Sequence, residues 1–389
     1  YNTAVGNQAL KANTTATNNT AVGYKSLFTN TTGTRNTAVG YNSLNANTTA
    51  SDNNAFGESS LSNNTTGTDN CAFGRLSLSA NTTGVSNCAF GHATLDAGNN
   101  SYNSAFGSEA LTNNTESNNS AFGFRALKEN TTGTNNAAFG TNALRDNTTA
   151  SNNTAFGKDA MVANSTGDQN CAFGQGSLDS NTNGRRNCGF GIQTLTANTT
   201  GHQNTAVGRL AAFSNTTADY NTAIGSLALY TNSTVSGLTA VGYEALTANT
   251  TGTMNTAVGY DALKANTTGF ENTAVGYQAL EDCTTGDRNT AMGSIALRDV
   301  TTGSLNAGFG REALRDLTTG SYNTACGRSA GEQMTTGSNN CLLGNDAGRA
   351  GNPGGTVSSQ SNRICLGNNQ ITNFSCQVSL TATSDKRDK

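Results

Sequence analysis

The chain has 389 residues, and only 12% of them are charged against a usual share of about 25%. The formal net charge of -3 and the lack of a Lys/Arg run before the last few residues leave no basic footprint for a phosphate backbone, which argues against a nucleic-acid partner. No stretch approaches the run of about 18 apolar residues that a spanning helix needs, and no leader of charged then apolar residues opens the chain, which argues against membrane insertion.

From its first residues the chain repeats itself. Copies of N-x-A-[VF]-G start at Asn2, Asn19 and Asn36 and recur to Asn340, giving 21 copies spaced by 17 residues, with two 16-residue steps between 87 and 119. The chain begins mid-repeat at Tyr1, as expected of a fragment. Position one is Asn in every copy except Leu238, and position five is Gly throughout, including Gly23, Gly40 and Gly57. Position three is Ala except at Gly189, Gly308 and Leu342. Position four is apolar: Val in the first copies, then Phe from Phe56 through Phe73 and Phe90 to Phe190, then mostly Val. Position eight is small and position nine is usually Leu, while charges collect at positions six, seven, ten, eleven, sixteen and seventeen. A disordered linker has no reason to keep apolar residues in phase over more than three hundred residues, so the repeat is structural.

One copy has too few apolar side chains for a core of its own, so neighbours must stack and share one. N-T-A-V-G reads as a short strand whose second and fourth side chains face one way and whose third and fifth face the other. Ala and Gly on the latter face imply close approach by another backbone. N-T-T-G reads as a turn, with the Asn bonded to its own backbone and the Gly at positive φ. The segment between them fits either a second strand or one helical turn; the expectation taken forward is an extended arm. At about 4.8 Å per rung, 21 rungs would make a rod roughly 100 Å long. Stacking sets Asn19, Asn36 and Asn53 over one another, and likewise Gly23, Gly40 and Gly57, and Phe56, Phe73 and Phe90. A column of buried Asn can donate and accept along itself.

The expected fold is thus an all-β solenoid shaft over residues 1–344. A Gly/Ser/Pro loop follows at 345–361 and contains the lone Pro353, then a C-terminal β cap at 362–383 built on NRICLGNNQ and SCQVSLTA. So thin a coil is marginal alone, which suggests that several chains, expected as a homotrimer, pack through the Ala/Gly face. Late in the chain position twelve changes from Asn249 and Asn266 to Cys283, Val300, Leu317 and Met334, an apolar corner against which something should pack.

Nine cysteines, none in a CxxC spacing, give no zinc or redox signature. Cys71, Cys88, Cys171, Cys188 and Cys341 share position two and read as small buried side chains, with disulfides between neighbouring copies left open. GRSAG at 327–331 matches a nucleophile elbow but lies inside an ordinary copy without a strand-to-helix context. His92 and His202 occupy different repeat positions, so neither a catalytic base nor a metal site is expected, and no cofactor is implied. The N-x-[ST] pattern recurs at Asn30 and Asn266; it reads as a turn, or as a glycan acceptor should a eukaryotic host make the protein. No recurrent close carboxylate pair suggests a glycosidase groove.

The last ten residues, LTATSDKRDK, resemble the junction at which phage and algal-virus tail fibres enter an endosialidase-type intramolecular chaperone, with Ser384, Asp385, Arg387 and Lys389 matching S-D-x-R-x-K. The resemblance implies cleavage of the Ser384-Asp385 bond with Ser384 as nucleophile and Lys389 as base. The repeat N-T-A-V-G-Y-x-A-L-x-x-N-T-T-G resembles arrays in viral tail-fibre proteins and is similar to the repeats of trimeric autotransporter adhesin heads. These resemblances imply a non-enzymatic, homotrimeric fibre shaft at a virion surface or otherwise extracellular. Its partners would be virion proteins and a host receptor or glycan engaged through an adjoining region. A cell-surface trimeric adhesin and an ice-binding solenoid, the latter suggested by rows such as Thr14, Thr31, Thr48 and Thr65, are the rival readings.

Overall fold

A three-residue strand has too few hydrogen bonds to persist alone, so each copy depends on the copies on either side. The structure, a computed structural model, describes residues 1–351 and 355–373. It is an all-β parallel solenoid of about 20 turns, one per 17-residue repeat, with no helix among the described residues. Two compact units divide the chain, Tyr1–Thr268 and Gly269–Lys389. The first carries strands β1 (Thr3–Val5) to β16 (Thr256–Val258), the second β17 (Thr273–Val275) to β22 (Ile364–Leu366). Within each unit successive strands pair in parallel and like sits on like: Thr20 with Thr37, Ala21 with Ala38, Val22 with Val39. The two 16-residue steps leave this register intact, since Ala89 pairs with Ala105 and Ala105 with Ala121.

Six positions of each coil point inward: one, three, eight, nine, twelve and fifteen. In the coil that starts at Asn36 they are Asn36, Ala38, Ser43, Leu44, Asn47 and Ala50, all buried. Two of the six are amides, and each is satisfied by a column of its own kind. Asn36 donates from Nδ2 to the Ala50 carbonyl of its own coil at 2.8 Å, while its Oδ1 accepts the Asn53 N–H of the next coil at 3.0 Å. At position twelve Asn47 donates to Asn30 Oδ1 at 2.8 Å and to the Ala50 carbonyl at 3.0 Å. Along most of the stack a buried amide thus clamps one corner of its own coil and ties it to a neighbour, so burial costs little of the penalty that an unpaired amide would carry.

The Ala face expected to meet another chain is therefore the inside of this one: Ala21, Ala38 and Ala55 are fully buried in their own coils. The backbone that approaches so closely is that of the neighbouring rung. A Cβ on Gly23 or Gly40 would stand 2.5 Å from the carbonyl oxygen of Gly40 or Gly57 respectively, and both glycines hold φ near 130–140° (129° and 139°).

The arm after the strand is neither a second strand nor a helical turn. Positions five, seven and nine take positive φ in alternation with ordinary residues, as in Gly40 (139°), Asn42 (54°) and Leu44 (46°). Alternating hand cancels helical winding, keeps the arm stretched and turns its amides toward the rungs on both sides. Asn42 N–H reaches back to the Tyr24 carbonyl at 3.0 Å, and Leu44 N–H reaches forward to the Ser60 carbonyl at 3.0 Å. A left-handed leucine costs about 1–2 kcal/mol, which the bond and the full burial of Leu44 offset. In the N-T-T-G corner the positive φ falls at position seventeen (Arg35, 58°; Asp52, 63°) rather than on the glycine, which Ala replaces at 16, 50, 150 and 218. Asn30 does bond its own corner, from Nδ2 to the Gly33 carbonyl at 3.0 Å.

In the second unit the corner is built differently. Cys283, Val300, Leu317 and Met334 replace the position-twelve amides and are all fully buried, so the apolar corner packs inside its own coils. β22 pairs in parallel with β21 (Cys341–Leu343) across a 23-residue step, Cys341 opposite Ile364, so the NRICLGNNQ segment adds a further rung. Pro353 and the SCQVSLTA segment of the expected cap lie outside the described residues.

Replacing Asn36 by Ala leaves the Asn53 N–H buried and unpaired and takes one of two donors from the Ala50 carbonyl, and should cost about 1–3 kcal/mol; faster hydrogen exchange of the Asn53 amide, with Thr32→Ala as a neutral surface control, measures it. Gly40→Ala, which places a methyl against a backbone oxygen in a strained φ, should be worse than Asn36→Ala in the same denaturation series.

Candidate interaction face

With Ala turned inward, the strand's other face carries positions two and four to the outside, half-buried on most rungs. No charged residue occupies either position in any copy. From Phe56 to Phe190 position four forms a column of phenyl rings: Phe56 stacks on Phe73 at 4.4 Å, Phe73 on Phe90 at 4.6 Å and Phe122 on Phe139 at 4.7 Å. Their planes are nearly parallel (4–9° in these pairs), so neighbours cover the ring faces and the apolar edges point outward. Phe156 is the most open of them at 54% exposure. On rungs outside this column position six carries stacked tyrosines, Tyr24 on Tyr41 at 5.4 Å and Tyr243 on Tyr260 at 5.1 Å. Charges stand beside the stripe at position six, as in the Arg75–Glu58 pair at 3.5 Å, and on the arm and corner, where Arg35 pairs with Asp52 at 2.6 Å and Lys264 with Glu244 at 2.6 Å.

The position-two cysteines belong to this outer face and are half-exposed rather than buried. Cys71 lies opposite Cys88, and Cys171 opposite Cys188, as free thiols. Partial burial, with the partner thiol adding to it, pushes the Cys171 thiol up to about 11. Thiolate is therefore scarce at neutral pH, and these are poor nucleophiles.

The other candidate residues separate cleanly. Asn19, Asn36 and Asn53 form the inner amide column, Gly23, Gly40 and Gly57 the close backbone contact, and Phe56, Phe73 and Phe90 the outer column. Ser384, Asp385 and Lys389 lie outside the described residues. Ser329 of the GRSAG segment is buried in the run of turns after its strand and donates to Glu312 Oε2 at 2.9 Å, with no imidazole beside it. His92 contacts Arg75 at 3.0 Å, and His202 Nδ1 accepts the Arg185 N–H at 3.0 Å. No group of three or more His, Cys, Asp and Glu suited to a metal occurs among the described residues. Asn30 is fully buried with its Nδ2 committed to the Gly33 carbonyl, and Asn266 is buried with its Nδ2 on Asn249 Oδ1, so neither folded site offers its nitrogen to a glycan.

Compared with protein-family models and with curated proteins, the chain matches none. Sequence reasoning missed the outward aim of positions two and four as a neutral stripe; the absence of charge from both positions was the available signal.

Site-resolved alkylation of the native chain should label the half-exposed position-two thiols slowly. Buried Cys283, whose thiol burial pushes up to about 12, should react only on unfolding.

Proposed function

We propose that the chain is a non-enzymatic structural shaft of a virion fibre, assembled as a homotrimer and holding a host-attachment element at a distance. The observation that carries this reading is the outward row of apolar side chains at position four, flanked by uncharged, mostly Thr, side chains at position two, in both units. A row of outward apolar side chains repeated from rung to rung marks a surface built to be covered. A partner that covers it rung for rung needs the same repeat, and a second copy of the chain has it. The contact is thus moved from the Ala face to the opposite face of the same strands. Three copies, rather than two, follow from the resemblance of the repeat to trimeric fibres and adhesin heads. Virion proteins and a host receptor are the partners that such a shaft implies, at a virion or other extracellular surface, and a cell-surface adhesin remains the rival within the same class.

The ice-binding reading has less support. The hydroxyls of Thr14, Thr31 and Thr48 donate to the carbonyls of Thr31, Thr48 and Thr65 at 3.0–3.2 Å (3.0, 3.1 and 3.2 Å), so they serve the stack instead of facing solvent as a free array.

Sedimentation equilibrium should give three times the chain mass. The combined variant Phe90→Asp, Phe106→Asp and Phe122→Asp should sediment as a monomer while keeping its β circular-dichroism signal. A wild-type monomer at micromolar concentration, or a variant that stays trimeric, would sink the reading, and measurable thermal hysteresis would favour the ice-binding alternative.

A further inference from the structure

One depression on the first unit breaks the rules of the repeat. It has a volume of about 490 Å3 and is lined by Asn183, Arg185, Arg186, His202, Gln203 and Tyr220, all exposed. Position sixteen ordinarily holds a short acceptor side chain, because the N–H at position sixteen of the preceding coil bonds to it: Thr34 N–H to Ser51 Oγ at 3.0 Å, Ser151 N–H to Asp168 Oδ1 at 2.8 Å. Arg185 occupies that position and has no acceptor to give the N–H of Asp168. Val85 and Phe270 also interrupt the series, but they bring no charge. A second arginine follows at position seventeen, the only Arg-Arg pair in the chain.

The neighbouring rungs hold the acceptor atoms of the lining residues and leave the donors free. His202 Nδ1 accepts the Arg185 N–H, so the neutral ring carries its proton on Nε2, pointing away from the backbone. Asn183 Oδ1 accepts the Thr166 hydroxyl at 2.7 Å, which leaves its NH2 group to the depression. Arg186 spends Nε on Gln169 Oε1 at 2.9 Å and keeps its terminal nitrogens. The acids on the flanking rungs, Asp168 and Asp219, each have one oxygen on a backbone N–H, of Ser151 and His202 respectively, and neither forms an ion pair with Arg185 or Arg186. Two guanidinium groups, an imidazole N–H and a carboxamide thus converge beside the exposed ring of Tyr220.

We propose that this depression binds an acidic saccharide, with Arg185 and Arg186 on its carboxylate or sulfate ester and Tyr220 against the sugar ring. Planar forks of donors suit both anions, and an aromatic face suits the apolar side of a pyranose. The shaft would then contact a glycan-coated surface along its own length. The proposal does not depend on the fibre reading, because it concerns one site on one chain.

The test titrates the full chain with a sulfated, a uronate-containing and a neutral oligosaccharide of equal length, followed calorimetrically at low and moderate salt. Wild type should bind at least one of the two anionic probes, weakening as salt rises, and ignore the neutral one; the probe that binds identifies the anion. Arg185→Ser with Arg186→Asn restores the residue types that other coils use at positions sixteen and seventeen, so the double variant should keep its melting temperature and lose about tenfold or more in affinity. Should it melt early, Arg186→Asn alone gives the same reading. Arg35→Asn, a control on another coil matched in charge to Arg186→Asn, should bind as wild type. No binding of either anionic probe, equal binding of the neutral one, undiminished binding by the double variant, or an equal loss in Arg35→Asn would overturn the proposal.

Discussion

Everything in this molecule depends on the hydrogen bond from one rung to the next. A coil buries little more than an alanine, a small residue and one leucine, which is not enough apolar surface to hold seventeen residues in place. Strand, arm and corner all direct amides at neighbouring coils, and the two columns of buried asparagine add side-chain bonds to those of the backbone. The asparagines do the work that a hydrophobic core does elsewhere, and they do it with specificity. An Asn slipped by one position would leave donors and acceptors unpaired inside the coil, so the columns also fix the register.

Where the columns are interrupted, the consequence is local. Gly98 stands at position twelve of a shortened coil, and Asn81 Oδ1 before it is buried without a hydrogen-bond partner. Leu238 replaces the position-one Asn; its N–H still bonds Asn221 Oδ1 at 2.8 Å, but nearby Asn232 Oδ1 is buried without a partner, while Asn249 keeps the usual corner bond from Nδ2 to the Gly252 carbonyl. Such gaps cost about 1–3 kcal/mol each. A stack of many rungs absorbs them because each coil is held by its neighbours on both sides, and the second unit shows the alternative, a corner column made of Cys283, Val300, Leu317 and Met334.

Because the interior is settled by six positions, the remaining positions are free to vary, and the molecule divides its outer surface among them. Positions two and four carry the neutral stripe, the arm and corner carry paired charges such as Arg35 and Asp52, and one corner gathers Arg185, Arg186 and His202. The inter-rung ion pairs are solvent-exposed and contribute roughly 0–1 kcal/mol each; their value lies in keeping neighbouring arms from repelling one another.

The seventeen-residue period, the phase of the strand, the column of Asn at position one and the backbone contact at position-five Gly were all legible in the sequence, because a parallel stack repeats like on like and leaves that repetition in the text. The sequence also marked Arg185 as an exception at position sixteen, but not what it faces. Which face of the strand turns inward, the half-exposure of Cys71 and Cys171, and the depression beside Tyr220 were decided by tertiary structure. The cause is the hand of the arm. Coil closure depends on residues such as Asn42, Leu44 and Asp52 taking positive φ, a choice that non-glycine side chains do not advertise and that only the bonds to adjoining rungs make favourable.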